Sequence, residues 1–235
     1  MNQRLQNIST PTFGASAQGT TVEQRERVLR NTYWLLALSM FPTVLGAWIG
    51  VTTGIVAAMS PGIGLIVFMG GAFGFMFAIE RTKNSAMGVA VLLAFTFFMG
   101  LMLSRMLGIV LGRTNGTSLV MTAFAGTGAI FLGMATLSSI IKRDLTGLGK
   151  FLFIGMILIV VAGIANFFLQ SSALMLTVCV LSIGIFSAFI LHDLKRVKDG
   201  YETNYISATL GVYLSLYNVF QSLLMILGLG GSSDN

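Results

Sequence analysis

The chain has 235 residues, of which 55% are hydrophobic and only 9% charged, and its mean hydropathy is +0.86. That balance excludes a water-soluble globule and predicts a polytopic membrane protein. The net charge of +6 is no sign of nucleic-acid binding here, because the basic residues sit between apolar runs and not on one soluble surface.

Residues 1–28 read as a flexible N-terminal tail. The first twenty or so are rich in Gln, Asn, Ser, Thr and Gly without apolar periodicity, and the charged bridge Glu23-Gln-Arg-Glu-Arg-Val-Leu-Arg30 leads toward the membrane. No secretory leader is expected, since the first apolar run begins only near Tyr33. Residues 29–230 read as the transmembrane domain, and residues 231–235 as a short C-terminal tail.

A bilayer core takes about 20 apolar residues per helix, and its lack of water requires each segment to satisfy its own backbone. The expected fold is therefore all-α, with seven transmembrane helices near 32–55, 62–79, 85–104, 118–141, 149–169, 172–192 and 206–228. Pro42 falls inside the first span, where it removes a backbone donor and predicts a kink, whereas Pro61 marks the start of the second. Gly70 with Gly74, and Ala129 with Gly133, have the small-xxx-small spacing of packed membrane helices.

Basic residues set the expected orientation. Arg4, Arg25, Arg27, Arg30, Arg81, Lys83, Lys142, Arg143, Lys150, Lys195, Arg196 and Lys198 all fall on one side, leaving Arg105 and Arg113 for the other. By the positive-inside rule the N-terminus is cytoplasmic and the C-terminus, after an odd number of spans, is on the far side.

No catalytic or metal-binding constellation is legible. The chain lacks a His-Glu-x-x-His pair, a Gly-x-Ser-x-Gly elbow and a phosphate loop, so no cofactor is expected. Its one cysteine, Cys179, reads as a small buried hydrophobe. Two polar features remain. Ser207, Gly211, Ser215, Asn218 and Ser222 recur at helical spacing along one face of span seven, opposite Leu, Val, Ile and Phe. Asp193 closes the apolar run of span six beside His192, the only histidine. A carboxylate at that depth needs a cation, a polar cavity or a proton, and Arg81 is a possible counter-ion. His192 reads as an interfacial residue or, alternatively, a proton relay.

Nearly the whole chain resembles the Bax inhibitor family of membrane proteins, in its bacterial, YccA-like branch, with the specific motifs in the last hundred residues. The likeness is carried by Lys142-Arg-Asp-Leu-Thr-Gly-Leu-Gly149, Asn166-Phe-Phe-Leu-Gln-Ser-Ser-Ala-Leu174, Asp193-Leu-Lys195, Glu202-Thr-Asn-Tyr-Ile-Ser-Ala-Thr209 and Tyr213-Leu-Ser-Leu-Tyr-Asn-Val-Phe220, with Arg30-Asn-Thr-Tyr33 at the head of span one. The resemblance implies seven helices with the seventh central, surrounded by the other six. It implies residence in the bacterial inner membrane and a non-enzymatic role as modulator, by inhibition, of the membrane-anchored ATP-dependent protease FtsH. For some family members it also implies a pH-dependent calcium leak through two aspartates. Asp193 matches the first of these, but Ser215 stands at the second position. Serine cannot ionise, so the coupled titration of two carboxylates is lost, and a calcium site is weakened. The alternative to protease modulation is a proton or cation leak gated by Asp193, with Ser215 and Asn218 lining the route; a third reading is a polar seam that only fixes packing.

Overall fold

The computed structural model describes residues 21–230. They form seven α-helices: α1 (Val22–Thr53), α2 (Pro61–Thr82), α3 (Ala86–Leu111), α4 (Gly116–Ile140), α5 (Leu148–Leu169), α6 (Ser172–Asp199) and α7 (Tyr205–Gly230). All seven are long and apolar enough to cross a membrane. The all-α, seven-span expectation holds.

Two helices overrun the apolar runs that announce them. α1 has 32 residues, about 48 Å at 1.5 Å per residue, against a hydrocarbon core of about 30 Å. Its extra turns are the charged bridge, and the start is fixed by a reciprocal cap: Thr21 Oγ1 accepts from the Gln24 amide while the Gln24 side chain accepts from the Thr21 amide. Residues 22–28, placed in the flexible tail by the sequence boundary, are therefore helical; residues 1–20 lie outside the described residues. The helix runs on through Pro42.

α6 likewise continues past its apolar stretch through Lys195, Arg196 and Lys198 until Gly200, whose φ of 84° supplies the left-handed stop. Hydropathy reports membrane thickness, not helix length. Asp193 is consequently not at a helix end but one and a half turns inside one.

α7 is the centre of the bundle. It packs against α1, α2, α3, α4 and α6, and no described side chain from Asn204 to Leu229 is exposed. The expectation of six surrounding helices needs one correction: α5 touches α6 alone. The most extensive pairing is α1 with α3, and glycine is what permits it. A Cβ at Gly100 would lie 2.0 Å from the Thr43 carbonyl oxygen, and one at Gly46 would lie 2.2 Å from that of Phe97. The backbones approach too closely for any side chain.

The small-residue pairs singled out from the sequence do not serve this purpose. A Cβ at Gly70, Gly74 or Gly133 would meet nothing within 4 Å. Spacing shows that a helix has a smooth stripe, but not which helix, if any, lies against it.

Candidate functional site

The acidic site lies where α6 crosses α7. Asp193 has a side-chain exposure of 17% and His192 of 9%, and His192 Nδ1 is 3.2 Å from Asp193 Oδ1. The other carboxylate oxygen faces the central helix: a Cβ at Gly211 would stand 2.7 Å from Oδ2. Gly211 thus leaves the space that an acid occupies. On the far side, His192 Nε2 is against the first turn of α5, 2.8 Å from where a Cβ of Gly149 would be. Three helices close around one histidine–aspartate pair.

Ser215 and Asn218 sit further along the same face of α7 but are satisfied locally. The Ser215 hydroxyl donates to the Gly211 carbonyl at 3.0 Å, and Asn218 Nδ2 donates to the Leu214 carbonyl at 2.8 Å. Ser215 is buried, as is Ser222, while Ser207 and Gly211 are half-buried. The seam is thus enclosed by protein along its length.

Arg81 does not join this site. α2 and α6 make no contact; the exposed Arg81 guanidinium instead lies over the Phe77 ring, 5.7 Å from its centroid. Sharing the basic end of the bundle is not enough to pair two charges when their helices do not touch.

The opposite face of α7, read from the sequence as apolar, carries polar ties to its neighbours. Thr209, Tyr213 and Tyr217 follow at i, i+4 and i+8, offset two residues and about 200° from the seam. The Tyr213 hydroxyl is 2.9 Å from that of Thr43 on α1 and 3.4 Å from the Thr96 carbonyl on α3. Tyr217 donates to the Met99 carbonyl at 3.4 Å, and Thr209 Oγ1 lies 3.4 Å from the Thr32 carbonyl. Tyrosine counts as apolar in a hydropathy sum, which hides a repeat of hydroxyls visible in the spacing itself.

The entry to α7 is equally specified. Asn204 Oδ1 accepts from the amides of Ile206 and Ser207, capping the helix, while its Nδ2 donates to the Lys83 carbonyl and to Asn84 Oδ1, each at 2.9 Å. Glu202 braces this cap: Oε1 accepts from the Asn204 amide at 2.9 Å and Oε2 pairs with Arg196 at 3.9 Å. The Glu202-Thr-Asn-Tyr205 segment therefore joins the α2–α3 turn, the end of α6 and the start of α7.

A seven-span bundle built round α7, with an acid–histidine pair against that helix and a capped Glu-Thr-Asn-Tyr entry, defines a class of integral membrane protein. The chain belongs to the Bax inhibitor family: the family model described as inhibitor of apoptosis-promoting Bax1 matches residues 25–233. It is similar to an uncharacterised membrane protein of Vibrio cholerae, 34% identical over 227 residues that cover 97% of this chain and all of that one. It is also similar to the modulator of FtsH protease YccA of Escherichia coli K12, 36% identical over 214 residues covering 91% of this chain and 95% of the relative. The protein named inner membrane protein YccA in Escherichia coli strain CFT073 matches to the same extent, 36% over 214 residues.

Proposed function

We propose that this protein is a non-catalytic inner-membrane modulator that binds and inhibits an FtsH-type ATP-dependent protease. The observation that carries the reading is end-to-end kinship, 36% identity across 91% of the chain, with a relative named for that role. The fold supplies a physical rationale. A cytoplasmic tail of residues 1–20 is an entry point for an ATP-driven translocase, and behind it stands a helix capped at Thr21 and locked to α3 through glycine contacts. Pulling on the tail loads the best-packed helix pair of the bundle, so the protein is engaged but extracted slowly and occupies the protease. Deletion of residues 1–20 should abolish inhibition of FtsH in cells and lengthen the protein's own half-life. Unchanged inhibition and turnover would refute engagement through the tail.

A second reading is supported by the burial of the Asp193–His192 pair against the central helix: a route gated by Asp193 that admits protons or cations along the α6–α7 contact past Ser215 and Asn218. Flux into liposomes containing purified protein tests it. The wild type should leak and Asp193→Asn should not; equal flux from both would dispose of the pathway.

A further inference from the structure

α4 and α5 are consecutive, yet they do not pack on each other; each lies against α6. Lys198 on α6 donates to Ser138 Oγ at 2.7 Å and to the Ala135 carbonyl at 3.3 Å, which holds the end of α4. α5 meets α6 at Gly149 and Gly155, the latter 2.7 Å, from the position of its absent Cβ, to Ile185 Cδ1. Between its contacts at Lys198 and at Ile185, counted at about 100° per residue, α6 leaves Val180 and Leu181 60% and 54% exposed and Gly184 open, so it is the floor of a furrow between α4 and α5 whose end is crossed by residues 141–147.

The charges at that end do not cancel. Lys195 Nζ is 2.5 Å from Asp199 Oδ1, Arg196 pairs with Glu202, and Asp144 is turned onto its own loop, where Oδ1 accepts from the amide and hydroxyl of Thr146. Asp199 and Glu202 are thus paired, which leaves Asp144 as a single exposed acid against Lys142, Arg143 and Lys150, all three exposed and forming no ion pair among the described residues. The first turn of α5 adds amides without a side-chain cap and without an acidic residue. Ile140 and Phe151, which flank the loop, are 66% and 74% exposed. Unpaired cations beside apolar surface, at the boundary between helix and loop, match a ligand with an anionic head and a hydrocarbon tail.

We propose that the α4–α5 furrow seats an anionic phospholipid, its phosphate held by Lys142, Arg143 and Lys150 and an acyl chain lying between the two helices on α6. A soluble phosphate would use the cations but leave the furrow empty, and an acidic protein segment would use no acyl groove.

The test is native mass spectrometry of the full chain in detergent with added cardiolipin, phosphatidylglycerol or phosphatidylethanolamine. Wild type should retain the two anionic lipids about tenfold more strongly than the zwitterionic one. The triple variant Lys142→Gln/Arg143→Gln/Lys150→Gln should lose that preference. Replacement of Lys142 and Lys150 by Arg should keep it, as should Arg30→Gln, which removes an exposed cation from another helix. Absence of preference in the wild type, its persistence in the triple variant, or equal competition by glycerol 3-phosphate would overturn the assignment.

Discussion

Gly211 shows how much one missing carbon can decide. Its hydrogen side chain is what allows the Asp193 carboxylate to rest on the central helix, so Gly211→Ala forces an acid and a methyl into the same volume. Because the displaced atom is the far end of a side chain that can turn aside, the cost falls at the low end of overpacking, about 1 kcal/mol. Thermal melts in detergent should show the loss, and Asp193→Ser in the same chain should recover most of it by shortening the colliding group. Failure of the second change to recover stability would place the strain elsewhere. Asp144 offers a separate test by pH. Hydrogen bonds from the Thr146 hydroxyl and amide hold its carboxyl below the ordinary value of 3.8. A depressed folded pKa stabilises the loop above the unfolded value, and that contribution disappears as pH falls through the folded one. The melting temperature of wild type should therefore exceed that of Asp144→Ala at about pH 6, with the gap closing only under acid conditions below the unfolded value.

At the scale of elements, the helix count follows directly from hydropathy, but the end of each helix is set by chemistry that hydropathy does not weigh. The charged turns of α1 and α6 continue because Thr21 caps one and Gly200 stops the other. Asn204 is the most consequential cap, since it serves both α7 and the α2–α3 turn. Asn204→Ala should cost about 1–2 kcal/mol and accelerate hydrogen exchange together at residues 205–209 and 83–88. Acceleration confined to α7 would mean that the tie to Lys83 and Asn84 contributes nothing. The glycine pairs teach the converse lesson. Gly70, Gly74 and Gly133 have a packing spacing and face open space, whereas Gly46 and Gly100, on different helices, form the close crossing. Spacing is a property of one helix; contact requires the address of the second.

For the whole molecule, composition and the seven apolar runs suffice to read the class, and the motifs from Lys142 onward suffice to read the family. The candidate site was only half legible. Asp193 and His192 stood out as rare ionisable groups beside an apolar run, but their partners, Gly211 and Gly149, carry no chemical signal and gain meaning only from three-dimensional approach. Arg81 is a reasonable counter-ion by depth and charge, but its helix, α2, does not touch α6. The tyrosine face of α7 was missed because a hydroxyl on a ring does not lower a hydropathy sum.

The position of α7 also bears on biosynthesis. The element that touches five others follows all six of the preceding helices in the chain, so those six enter the bilayer before the piece that unites them exists. α1, α2 and α3 can pair early, but α4 and α6 must wait with the faces that meet α7 against lipid or one another. A chain truncated after Gly200 should accordingly insert all six helices yet be cut rapidly by added protease in inverted vesicles, while the full chain resists.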